Sequence, residues 1–193
     1  MIRVSAKSQK LSVGGTPGGA ATIGSGHVTY LITFACYGCH MHGDESGSID
    51  RRHNLFGARV IAADPQRLSA ERQLMDQLPY GMDRSRRERV LASLRERCRQ
   101  RRWNLLAAHV RTNHIHLVVE AEARPERVLN DLKSFASRCL NDRGLDEPAR
   151  KRWARHGSTR WLWKRENVSA AIRYVVDGQG DPMAVFEASE PPR

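Results

Sequence analysis

The sequence predicts an α+β fold: an antiparallel sheet with helices packed on one face. Three features carry that prediction. Runs rich in β-branched and aromatic residues lie at 27–38 and across 103–121. Helix-spaced apolar stripes separate and follow them. Between "WNLLAAHVRT" and "HIHLVVEA" the chain turns back through Thr112-Asn113, a plausible tight hairpin. Sheet strands and helices that each have one apolar face must cover one another, and a helix layer on an antiparallel sheet does so.

The elements follow in order. "HVTYLITFACYG" (27–38) is a good first strand. The polar, glycine-bearing segment 41–57 reads as a long loop. Residues 64–78 carry apolar residues at Leu68, Leu74, Met75 and Leu78, ended by Pro79-Tyr80-Gly81, and read as a helix. Residues 84–102 repeat Val90, Leu91, Leu94 and Cys98 at helical spacing, with arginine on the other faces. After the hairpin, 125–144 opens on a first-turn proline and closes on glycine, the usual helix punctuation. Segment 158–165 is a candidate strand, and 166–180 a final helix followed by an exposed tail. The chain divides into a flexible Gly/Ser/Thr-rich tail (1–26), one domain (27–187) and a short C-terminal tail (188–193).

At 193 residues the chain can bury a real core. Its apolar fraction of 40% is ordinary, but a net charge of +11 is not. The cations cluster: 84–102 holds nine arginines, and 143–165 holds eight Lys or Arg with Trp153, Trp161 and Trp163 interleaved. Phosphate neutralisation combined with aromatic stacking is how single nucleic-acid strands are held, so the expected partner is a polyanion. Candidate contacts are Arg101, Arg102, Arg111 and Lys133, together with Arg160, Trp161 and Trp163. No run of 18 apolar residues is present, so no membrane span is expected. Without an apolar leader, the four cysteines are expected to be reduced in the cytoplasm.

Two H-x-H pairs occur, His40-Met41-His42 and His114-Ile115-His116. The first follows Cys36 and Cys39, but a tetrahedral zinc site needs four well-spaced ligands, and no second Cys-x-x-Cys exists to complete one. Cys36 reads better as a small apolar residue ending a strand. The second pair lies in a strand, where alternate residues share a face. His114 and His116 therefore share a face with Thr112, Val118 and Glu120, while Ile115, Leu117 and Val119 face the helices. Two imidazoles about 7 Å apart along a strand can converge on one cation. Two histidines on the wet face of a sheet would show the same spacing.

A nucleophile is sought among Tyr30, Tyr37, Tyr80 and Tyr174. On a helix, Tyr174 has small or polar residues nearby, at Asn167, Ala170, Ala171, Asp177 and Gly178, with Ile172 and Val176 on the far side. That face has room for a substrate, although an amphipathic tyrosine at a helix–sheet seam would look alike.

Taken as an ordered set, "TNHIHLVVE", "CYGCHMHGDESGSIDRRHN", "RKRWARHGSTRWLW" and "AIRYVVDGQGDPMAV" resemble the single-tyrosine HUH transposases of bacterial insertion sequences and their REP-associated relatives. His116 and Tyr174 stand 58 residues apart, which suits that family. The resemblance implies a ferredoxin-like fold, a homodimer, and Mg or Mn on His114 and His116. It implies that Tyr174 attacks single-stranded DNA, leaving a 5′-phosphotyrosine link and a free 3′-OH. Many relatives carry a Gln or Asn metal ligand one turn after the tyrosine; here that position is Gly178, flanked by Asp177 and Gln179, of which Gln179 is preferred. A domesticated relative that binds hairpin DNA without cutting it is the alternative, and a replication or transfer initiator is a third.

Overall fold

The computed structural model describes residues 27–39 and 64–189. The N-terminal tail, the loop 41–57, His40-Met41-His42 and the last four residues lie outside them. Nine elements follow in order: β1 (Val28–Ala35), α1 (Pro65–Gln73), α2 (Arg84–Arg101), β2 (Asn104–Val110), β3 (His114–Ala121), α3 (Pro125–Asp142), β4 (Ser158–Leu162), α4 (Arg165–Val176) and β5 (Ala184–Glu187). The five strands form one antiparallel sheet in the order β4-β1-β3-β2-β5. Its first six elements apart from α1 run β-α-β-β-α-β with strand order 4-1-3-2, which is the ferredoxin-like arrangement. No described helix is long and apolar enough to cross a membrane.

Period-two alternation builds the core. Tyr30, Ile32, Phe34, Ile115, Leu117 and Val119 point to one face, where they meet Val90 and Leu94 of α2 and Val128, Leu132 and Leu140 of α3. Leu31, Leu106, Ala107, Val118 and Leu162 point to the other, where they meet Val168, Ala171 and Val175 of α4. The helices of the ferredoxin-like core thus occupy one face as expected. The final helix departs from that expectation and covers part of the opposite face, because its own apolar stripe needs a partner and the first face is already filled.

Helix boundaries follow local chemistry. Asp83 caps α2, its carboxylate accepting from the Arg86 amide at 2.8 Å. Arg102 ends the helix in the left-handed region at φ 57°. Pro125 opens α3, and Gly144 at φ 63° follows its end.

Two expectations need correction. The helix expected over 64–78 stops at Gln73, and Leu74 and Leu78 are exposed; only Leu68 of the expected stripe lies inside it, so nothing apolar holds the next turn. The exposed tail expected after the final helix contains β5, which pairs with β2 from Ala107↔Glu187 to Val110↔Ala184. Four residues are too few to show alternation, and an open sheet edge supplies the pairing.

Candidate active site

β3 is the central strand, and its even-numbered residues face α4. His114 and His116 stand side by side there, with ring centroids 4.8 Å apart at an interplanar angle of 79°. Each ring is oriented at Nδ1. His114 bonds Asn113 Oδ1 at 2.7 Å. His116 bonds Thr33 Oγ1, its cross-strand partner on β1, at 2.8 Å. A ring that donates through Nδ1 carries its lone pair on Nε2, the arrangement of a metal-ligating imidazole held by a supporting hydrogen bond.

Tyr174 comes from the last turn of α4, in the same chain. Its ring lies 5.5 Å from that of His116, edge to face at 77°. The histidine pair and the phenol therefore lie together on one side of the sheet. His116 is buried while Tyr174 is 47% exposed, so this cluster meets solvent at the phenol.

Gln179 follows the helix end. Its amide nitrogen donates to the Tyr174 carbonyl at 3.1 Å, which ties it to the same turn. Gly178 could not carry a longer residue in this backbone, because a Cβ there would lie 2.8 Å from the Tyr174 carbonyl oxygen. Among the described residues there is no group of three or more His, Cys, Asp or Glu able to hold a metal ion. The donors seen side by side are the two imidazoles, while the Gln179 side chain is tied to the Tyr174 carbonyl. Imidazole and amide oxygen suit a divalent cation, and so few protein donors leave positions for phosphate or water.

The expected DNA contacts are spread over both faces. Arg160 pairs in register with Leu31 and so lies on the histidine side. Arg111, one residue past β2, donates to the Asp181 carbonyl at 3.0 Å. Arg101 and Arg102 end α2, on the opposite side, and Arg101 pairs with Asp131 at 2.7 Å. Trp161 also faces that side, edge-on to Tyr30 at 5.0 Å, and stacks with Trp163 at 5.1 Å and 14°. Lys133 is a correction. It is buried, its ammonium lies 5.4 Å from the Phe34 ring centroid, and it donates to the carbonyls of Ala154 and His156, both at 2.9 Å. Burial lowers its pKa to about 8, and its role is to pin the 154–156 segment to α3. At the N-terminal pair, Cys36 is a buried core residue whose thiol pKa burial raises.

His109 on β2 was not anticipated. It is fully buried, faces the histidine side, and pairs in register with His116. Its presence in the otherwise apolar run Leu105–Val110 is the signal the sequence offered.

Residues 81–170 match the family model of the IS200-like transposases. Over that stretch, somewhat under half of its length, the chain is similar to that family. The matched stretch contains His114 and His116 and ends before Tyr174. No curated protein matches the chain. Among solved structures, one similar chain is a REP-associated tyrosine transposase bound to a REP hairpin, 11% identical, with TM-score 0.43, covering 84% of this chain and 72% of that one. Another, from Deinococcus radiodurans R1 and described as a transposase candidate, is 14% identical, with TM-score 0.39, covering 85% and 98%. Both scores are below 0.5, and the fold described above stands on this chain's own topology.

Proposed function

We propose that the chain nicks and rejoins single-stranded DNA through Tyr174, with a divalent cation, Mg or Mn, held by His114, His116 and Gln179. The observation that carries this reading is the meeting of one half-exposed phenol with two Nδ1-anchored imidazoles on one face of the sheet.

In the proposed reaction the Tyr174 oxygen, having given its proton to solvent, attacks phosphorus in line. The phosphorus–O3′ bond breaks and its electron pair leaves on the 3′ oxygen, which takes up a proton. The products are a 5′-phosphotyrosine link and a free 3′-OH. Attack by a 3′-OH on that link reverses the step and joins strands. The cation, when bound, would polarise the phosphate and ease ionisation of a phenol whose ordinary pKa is about 10. Helix α4 holds the phenol beside the histidine pair, Thr33 and Asn113 hold the imidazoles, and Arg111 and Arg160 supply positive charge on the same side. A strand held there reaches Arg101, Arg102, Trp161 and Trp163 only by passing around the molecule, so these fit a second stretch of the same DNA, such as a hairpin.

The resemblance further implies a homodimer, which light scattering in solution would test, and the cytoplasmic location expected from the cysteines suits the absence of any disulfide among the described residues. Incubating the chain with a labelled single-stranded hairpin and Mg or Mn tests the main reading. A covalent protein–DNA adduct is expected, lost in Tyr174→Phe and in EDTA. An adduct that survives Tyr174→Phe removes this nucleophile. Hairpin binding with no adduct from the wild type favours the domesticated, non-cutting reading instead.

A further inference from the structure

The end of α4 is held from outside the helix. The last carbonyls of a helix have no partner within it and must find one elsewhere. The Arg173 carbonyl accepts from the Asp177 and Gly178 amides, at 2.8 and 3.3 Å, and the Tyr174 carbonyl accepts from the Gly178 amide at 3.1 Å. The Val175 carbonyl, one residue past the proposed nucleophile, is taken by His109 Nδ1 at 3.1 Å. The other ring nitrogen of His109 is also engaged: Nε2 accepts from the Met183 amide at 3.2 Å. A carbonyl partner on one side and an N–H partner on the other allow only the neutral ring protonated on Nδ1. Burial, with Arg111 nearby, lowers the pKa of His109 and favours that neutral form.

The ring reaches this position because of an irregularity in β2. Pairing with β3 shifts between Leu105 and Ala107, a β-bulge that places Leu106 and Ala107 both toward α4. Alternation counted from Leu105 would send residue 109 to the α2–α3 face; the bulge turns it toward α4.

We propose that His109 is a positioning residue for Tyr174: one ring clamps the last turn of α4 and the segment returning to β5, and so fixes the phenol over the histidine pair. This rests on the proposed function for its consequence in catalysis, while the clamp itself can be tested without it. The clamp differs from a core-filling role, because leucine would fill the space and leave both partners unbonded.

Amide hydrogen exchange and adduct formation should be measured on the full chain carrying His109→Leu and His109→Asn. In His109→Leu, exchange at residues 177, 178 and 183 should rise about ten-fold or more, with the β1 and β3 amides unchanged. Adduct formation at saturating DNA should fall by up to about 100-fold with DNA affinity kept, since small misplacements of a reacting group are that costly. His109→Asn keeps the shorter-reach donor and loses the acceptor, so exchange should rise at Met183 alone. If the leucine variant does not fold, the asparagine variant decides. Unchanged exchange at Met183 in either variant, or a uniform rise across the sheet, overturns the clamp. A wild-type chain that forms no adduct overturns the proposed function, and the exchange result still decides the clamp.

Discussion

Thr33 shows how a single hydroxyl can set the character of a site. It lies on the neighbouring strand, in register with His116, and its 2.8 Å bond engages Nδ1, so that in the proposed site Nε2 would be the ligand nitrogen. Such supporting bonds are typically worth 10–100-fold in metal affinity. Thr33→Val keeps the shape and removes the bond, so Mn binding, followed by calorimetry, should weaken by about ten-fold or more, with little change in melting temperature. Lys133 illustrates the opposite outcome, a basic residue absorbed by the core. An unfolded lysine keeps its proton to about pH 10.4, whereas Lys133 gives it up near pH 8. Between those values the unfolded chain binds more protons, so this residue's contribution to stability improves as pH rises. The melting temperature of the wild type minus that of Lys133→Met should therefore grow more positive from pH 8 to pH 10.

Among the elements, the segment from α3 to β4 combines apolar anchors, Leu145 and Trp153, with a buried polar network. Asp146 lies at its centre and is 5% exposed at the side chain. It accepts from Tyr80 at 2.6 Å, Arg152 at 2.8 Å and Arg86 at 2.9 Å. Burial raises its carboxyl pKa, but the Tyr80 hydroxyl and the two guanidiniums more than offset this and hold it below the usual range. Arg152 also bonds Asn141 and the Glu147 carbonyl, which ties the segment to the end of α3. Removing one partner of a buried pair leaves an uncompensated charge, at a cost of about 3–5 kcal/mol. Asp146→Ala should lower the unfolding free energy by that amount in urea, with the loss disappearing once acid protonates Asp146 in the wild type. This network also bears on α1, whose expected stripe lost its last turn while Asp76 bonded Tyr37 and Lys151 instead.

At the scale of the whole molecule, the sheet separates two kinds of surface. The histidine side carries the phenol with Arg111 and Arg160, and the other side carries the Trp161–Trp163 stack and the arginines at the end of α2. If both sides hold DNA, they should contribute in different ways. Each phosphate contact should add about one to the slope of log affinity against log salt. Arg111→Gln combined with Arg160→Gln should therefore lower the slope by about 2 in fluorescence anisotropy titrations. Trp163→Ala should leave the slope alone and weaken binding by about 1–3 kcal/mol, the usual worth of a stacked base.

Sequence by itself determined the sheet-and-helix class, the hairpin at Thr112-Asn113, the shared face of His114 and His116, and Tyr174 as the tyrosine with small neighbours. These are properties of period and local composition, which a chain carries before it folds. Only the tertiary structure decided which side α4 covers, that β5 closes the edge beside β2, that Lys133 is interior, and that His109 clamps the helix end. Each of these depends on what lies across from a residue: which sheet face was left open, which carbonyls lacked a donor, and where a bulge reversed the alternation.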